Sequence, residues 1–207
     1  MPRSPHGRKE PLSDRPRNPW TTLSRRQIYD NPWLTLEEHD VRTPGGSRGI
    51  YGVVRPKGLA IGVVPVDAEG FTWLVGQWRY PLDAYSWEIP EGGGRKDVPP
   101  LEEARRELAE ETGLRAGRWH ELLRLHLSNS LSDEAAVIYL CWDLTAGEAA
   151  PEDTEDLALR RVPLAEAFRM ARDGEITDAM AVAALLRLEG MALRGEWPEG
   201  CPPPAGR

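Results

Sequence analysis

Residues 87–94 read Trp87-Glu88-Ile89-Pro90-Glu91-Gly92-Gly93-Gly94, and past Arg95–Pro100 the chain runs LEEARRELAEETGL over Leu101–Leu114. Punctuation and period both make the second stretch a helix. Asp97 is placed to cap it, Pro99 and Pro100 sit where a missing N–H costs little, and Gly113 supplies a left-handed stop. At about 100° per residue, Leu101, Ala104, Leu108 and Thr112 share a stripe roughly 80° wide, the core face, with Arg105 at its border. Glu103, Glu107, Glu110 and Glu111 occupy a separate arc of about 100°. Like charges one turn apart are mildly unfavourable on an isolated helix, so this clustering asks for a cation. Two readings follow. One is a solvated acidic face with Arg106 pairing Glu102 or Glu110; the other is a site for a hard divalent ion such as Mg2+, bound by a few carboxylates together with substrate phosphate oxygens. Glycines just ahead of the helix let backbone groups approach such a site.

Working outward, apolar and polar residues alternate at Leu34–Val41, Gly49–Arg55, Leu59–Val66 and Thr72–Trp78, with turns at Thr43-Pro44-Gly45-Gly46 and Asp67-Ala68-Glu69-Gly70. These predict antiparallel strands. Beyond the central helix come a strand-like run at Ala135–Leu144 and helical periods at Leu164–Arg172 and Asp178–Arg194. Strands, a helix, a strand and then helices predict an α+β or layered α/β/α domain and argue against a doubly wound sheet. The domain spans Trp20–Trp197. Its flanks, residues 1–19 and 198–207, hold nine of the 19 prolines and little apolar content, and are expected to be flexible tails.

The 207 residues carry 26 Lys+Arg against 33 Asp+Glu, a net charge of -7, which argues against binding nucleic acid through clustered cations. No run approaches the ~20 apolar residues of a membrane span. The first 19 residues lack the apolar stretch of a secretory signal, so a cytoplasmic location is expected. Two cysteines, Cys141 and Cys201, are too few for a disulfide framework or a thiolate metal site.

Gly92 followed by Arg106-Glu107-Leu108-Ala109-Glu110-Glu111-Thr112-Gly113-Leu114 resembles the Nudix box, G-x5-E-x7-R-E-U-x-E-E-x-G-U with U aliphatic. Eight of its nine specified positions match, and Val98 stands where the family has its first Glu. Gln77-Trp78-Arg79-Tyr80-Pro81 before Trp87-Glu88-Ile89-Pro90, the later Ser130-Leu131-Ser132-Asp133-Glu134, and Gly174-Glu175-Ile176-Thr177-Asp178-Ala179 are similar to the ADP-ribose pyrophosphatase and nucleoside-diphosphate-sugar hydrolase branch. The resemblance covers roughly Tyr29–Leu188. It implies an α/β/α sandwich around a mixed sheet with an N-terminal antiparallel β region (residues 20–58), Mg2+ or Mn2+ dependence, and hydrolysis of a nucleoside diphosphate linked to another moiety. It also implies a homodimer in which N-terminal strands complete the partner's site. A triphosphate or RNA-cap hydrolase, or a binding module that has lost catalysis, are the alternatives.

Carried onto matching positions, the resemblance makes Glu107 and Glu111 the principal metal ligands, with Glu110 adding charge and the main-chain carbonyl of Glu91, beside Gly92 and Gly93, completing the site. Arg106 would hold the box carboxylates and Glu88 in place. Glu134, with Asp133 as competitor, would be the general base on a mobile loop. Arg79 would bind phosphate or a base edge, and Trp33 or Tyr29 would stack on a nucleobase, in its own subunit or the partner's. Metals at such a site neutralise a pyrophosphate's charge and acidify a bound water.

Overall fold

The computed structural model describes residues 17–147 and 156–206. The expectation for the N-terminal tail therefore falls, apart from the exposed Arg17–Pro19, outside the described residues. Among the described residues, ten strands and three α-helices follow one another as β1 (Thr21–Asp30), β2 (Leu34–Arg42), β3 (Arg48–Pro56), β4 (Gly58–Pro65), β5 (Phe71–Arg79), β6 (Ala84–Glu88), β7 (Glu91–Arg95), α1 (Pro100–Thr112), β8 (Leu114–His126), β9 (Ala135–Ala146), β10 (Ala158–Pro163), α2 (Leu164–Arg172) and α3 (Ala179–Arg194).

The strands form three sheets. β1-β2-β3 is an antiparallel N-terminal sheet, β10-β5-β6 a second, and β7-β4-β9-β8 the central one, mixed because β4 and β9 run parallel. Strand alternation sends successive side chains to opposite faces, and the central strands use both. Ile61, Val63, Val137, Tyr139 and Cys141 pack with Ala104 and Leu108 of α1. Val64, Ile138 and Leu140 share the other core with Leu185 and Leu188 of α3. The predicted α/β/α layering with an N-terminal antiparallel region is thus the observed one. No helix among the described residues is long and apolar enough to cross a membrane.

Helix α1 ends as its sequence predicts, with Gly113 at φ 69° and its N–H on the Ala109 carbonyl. Its start differs: Pro99 is the N-cap, no side chain caps it, and Asp97 lies in the preceding turn. Pro100 opens the helix and needs no N–H partner, so the cap is less necessary.

The flexible C-terminal tail expected from residue 198 onward is also corrected. Trp197 Nε1 donates to the carbonyls of Cys201 and Pro202 at 3.1 and 3.0 Å, and Cys201 is buried. The Ala205 N–H reaches the Gly70 carbonyl at 2.9 Å, and Ala165 donates to the Ala205 carbonyl at 3.1 Å. Backbone bonds, not apolar periodicity, strap this segment between the β4–β5 turn and the start of α2. Both cysteines are free thiols.

Candidate active site

Three of the four carboxylates in the acidic arc of α1 do not face solvent, Glu110 being half-buried. Glu103, Glu107 and Glu111 are 1%, 6% and 3% exposed, because the helix lies against β7, whose sequence Glu91-Gly92-Gly93-Gly94-Arg95 offers almost no side chain on that face. The glycines thus form a strand, with Gly92 opposite Ile61 of β4. A Cβ built at Gly92 would lie 2.4 Å from Glu107 Oε2. Glycine there lets a carboxylate and a backbone approach closely.

Three buried carboxylates side by side demand compensation. Arg106 supplies most of it: Nε bonds Glu103 at 2.9 Å, Nη2 bonds Glu107 Oε1 at 2.5 Å and the Gly93 carbonyl at 3.0 Å, and Nη1 pairs with Glu110. Arg95 Nε adds a second contact to Glu103 at 2.9 Å. Burial alone would raise the Glu103 carboxyl, but the hydrogen bonds from Arg95 and Arg106 outweigh it and hold Glu103 below the ordinary glutamate value. Glu111 Oε2 accepts the Glu91 N–H at 3.0 Å.

Arg106, expected to hold the box carboxylates and Glu88, contacts Glu107 and Glu110 and, among the described residues, makes no hydrogen bond to Glu88. That residue is gripped by Arg79, through Nε at 2.9 and 3.1 Å and Nη2 at 2.5 Å, while Nη2 also reaches Glu91 at 3.2 Å. Arg79, expected as a phosphate ligand, therefore spends Nε and Nη2 on carboxylates. The reason is register: Glu88 stands opposite Val75 and Arg79 opposite Ala84 at the other end of the β5–β6 ladder, and the even spacing along each strand puts both side chains on one face, along which the long Arg79 side chain reaches back to Glu88. Burial, with Asp178 and Glu88 adding negative charge, pushes the Glu91 carboxyl well above the usual carboxylate range.

A cavity of about 870 Å3 opens beside β7. Trp33, Arg79, Glu88, Glu91, Gly92, Gly93 and Glu134 line it, bringing together seven of the residues singled out by sequence. Glu107 and Glu111 stand behind its β7 wall, joined to it through Gly92 and the Glu91 amide. Trp33, 74% exposed in the β1–β2 turn, borders the cavity of its own chain, so it does not depend on a partner subunit to reach a site. Tyr29 lies on β1 with its ring exposed, away from the described lining.

The two candidate bases are separated by their partners. Asp133 is bound by Arg55 Nη1 at 2.6 Å, whereas Glu134 lines the cavity with its N–H held by Ser132 Oγ at 2.9 Å. The loop carrying them is tied to β3: Val54 N–H meets the Leu131 carbonyl at 2.9 Å and the Tyr51 hydroxyl donates to the Ser130 carbonyl at 2.6 Å. Sequence reasoning missed the Glu91 side chain and Asp178, which borders the cavity from the N-terminus of α3. Asp178 has a clear local signal as a helix N-cap, its Oδ1 accepting the Ala181 N–H at 2.7 Å. Nothing local says that this cap meets β7.

The donor set suits a hard divalent ion: oxygen-only, nearly buried, with Glu107 and Glu111 one turn apart and each oriented by a hydrogen bond. Comparison with known proteins agrees with this geometry. A profile described as the NUDIX domain matches residues 56–185, and one described as the nucleoside diphosphate sugar hydrolase N-terminal domain matches residues 20–54. The chain is 33% identical over 175 residues to a Mycobacterium tuberculosis protein named ADP-ribose pyrophosphatase, covering 82% of this chain and 83% of that one. A Bacillus subtilis protein of the same name is 31% identical over 170 residues, covering 81% and 91%. A crystal structure of an ADP compounds hydrolase superposes with a TM-score of 0.74 at 23% identity, over 88% of this chain and 98% of that one, and so shares the fold. With a buried carboxylate helix packed on a glycine strand and a NUDIX match across most of its length, this chain belongs to the Nudix hydrolase family.

Proposed function

We propose that the protein is a Mg2+-dependent pyrophosphohydrolase, Mn2+ being able to substitute, that cleaves ADP-ribose or a nucleotide sugar to a nucleoside monophosphate and a phosphorylated product. The observation that carries this reading is the juxtaposition of two carboxylate groups around one cavity: Glu107 and Glu111 behind the β7 wall, and Glu134 on the loop before β9. The names of the two relatives support the substrate class.

Glu107 and Glu111, with Glu110 and the Glu91 carbonyl, would hold the metal, which when bound supplies charge neutralisation at the diphosphate and acidifies water. The chain's own contributions follow from its contacts. Arg106 holds Glu107 and Glu110 in place, since its guanidinium is hydrogen bonded to both. Glu134, which lines the cavity, accepts the proton of the attacking water; Asp133 is held by Arg55 and lies outside the lining. Arg79 places positive charge in the cavity wall, and Trp33 offers an indole face for a base.

The assembly we propose is a homodimer. β1 is an edge strand whose residues are all exposed, and Leu23, Ile28, Tyr29 and Ile50 leave apolar side chains uncovered on its sheet. Tyr29 would then meet the partner. A panel of ADP-ribose, nucleotide sugars, dinucleoside polyphosphates and triphosphates, with Mg2+ and products identified by mass, tests the reaction. Preferential cleavage of a triphosphate would overturn the substrate assignment. Sedimentation across a concentration range tests the dimer, which a fully active dilute monomer would refute.

A further inference from the structure

Strand β7 separates two groups of carboxylates. Gly92 faces α1 and Glu107. Successive strand residues point to opposite faces, so the Glu91 side chain leaves the other side, where it meets Glu88 and Asp178. One oxygen from each of these three lies within 4.8 Å of the other two. All three border the cavity.

Their compensation is incomplete. Arg79 contacts Glu88 at 2.5 Å and Glu91 at 3.2 Å, so with all three carboxylates ionised, as ligands to a cation would be, one guanidinium leaves two negative charges over. Asp178 uses Oδ1 on the helix amide of Ala181. Glu91 Oε2 is buried and has no hydrogen-bond donor. Buried polar atoms in folded proteins nearly always have a partner, and this one is an oxygen among carboxylate oxygens, which are acceptors when ionised. What the place lacks is a cation.

We propose that Glu88, Glu91 and Asp178 form a second divalent-cation site, taking Mg2+ or Mn2+, across strand β7 from the carboxylates of α1. Three oxygen donors and an excess of two negative charges match a hard divalent ion, which keeps waters or substrate oxygens at its remaining positions. Because the three residues border the cavity, an ion there adds positive charge to the substrate's surroundings from the side opposite α1.

The test counts ions and does not read turnover, so its outcome is independent of the hydrolytic reading. Mn2+ is titrated into the full chain and free Mn2+ is followed by electron paramagnetic resonance. The Glu107→Gln/Glu111→Gln double variant is expected to retain one Mn2+ per chain. Adding Glu91→Gln or Asp178→Asn should weaken that ion at least about tenfold, since even partners outside the coordination shell are worth about 10–100-fold. Asn keeps the helix cap and Gln keeps the shape, and circular dichroism checks the fold of each. If the double variant does not fold, the single Glu91→Gln and Asp178→Asn variants should each bind one ion fewer than the wild type. Loss of every ion from a folded double variant, or an ion count and affinity indifferent to both Glu91→Gln and Asp178→Asn, would overturn the proposal. A Glu91→Gln chain that is more heat-stable with an unchanged Mn2+ count would show that a shared proton occupies the place instead.

Discussion

The Glu91 N–H donates to Glu111 Oε2 at 3.0 Å, joining the first residue of β7 to the last turn of α1. A backbone amide thereby fixes a carboxylate that local helix geometry alone would leave free to rotate. It also couples the two sides of the strand, because the same residue sends its side chain toward Glu88 and Asp178.

The first prediction follows from that bond. Glu111→Gln preserves shape but removes the charge that a divalent ion needs, so metal affinity and turnover should fall together. Calorimetric titration with Mg2+ beside steady-state hydrolysis checks this. Turnover that falls while metal affinity is kept would show that Glu111 is not a ligand.

Gly92→Ala is predicted to damage the site more than the fold. The new Cβ would sit 2.4 Å from Glu107 Oε2, so Glu107 must shift. Displacement of about 1 Å in a catalytic group can cost about 10²-fold in rate, whereas overpacking one methyl costs about 1–3 kcal/mol of stability. Hydrolysis rates and denaturant unfolding of the same preparation separate the two effects.

Glu103 gives the pH prediction. Its folded pKa is depressed, so its contribution to stability is present above the unfolded glutamate value, about 4.3, and is lost as pH falls through the lower folded value. Replacing it with Gln should therefore cost about 1.5–3 kcal/mol at neutral pH, the usual worth of hydrogen bonds to a charged group. The gap between variant and wild type should narrow below pH ~4. Urea unfolding at pH 7 and at pH 3 reads both.

The C-terminal strap can be tested at Gly70. Its φ is +79°, and a Cβ there would lie 2.1 Å from the Pro203 carbonyl oxygen and 2.5 Å from the Ala205 nitrogen. Gly70→Ala should displace the strap and lower the melting temperature, with a loss of about 1–3 kcal/mol from the clash and the left-handed backbone. Proteolysis near residues 198–206 should accelerate in parallel.

How much of this was legible in the sequence differs by residue. The span of α1, its Gly113 stop and its Ala104–Leu108 core face follow from local period and steric rules. The acidic arc was visible as a pattern, but its burial was not, because it depends on a glycine strand packing from outside the helix. β8 escaped reading altogether: LRAGRWHELLRLH is Leu- and Arg-rich, does not alternate cleanly, and carries a bulge between Glu121 and Leu123, while its pairing with β9 is a tertiary fact. Arg79 announced a cation at a strand end, yet only the β5–β6 register gives it to Glu88. Asp178 was readable as a cap and unreadable as a neighbour of Glu91.

The remaining prediction separates proton acceptor from metal ligand. Glu134 borders the cavity, while Asp133 is turned to Arg55 at 2.6 Å and does not line it. If Glu134 is the base, Glu134→Gln should cut turnover by about 10²–10⁴-fold, the usual worth of general-base catalysis, with metal affinity nearly intact. Asp133→Asn should leave the chemistry largely in place and act through the loop, since it weakens the tie to Arg55 that anchors residues 130–134 against β3. Pre-steady-state turnover and metal titration for both variants distinguish these effects. Near wild-type turnover in Glu134→Gln, with a large loss in Asp133→Asn, would move the base to Asp133, and the Arg55 pair would then have to open in the catalytic cycle.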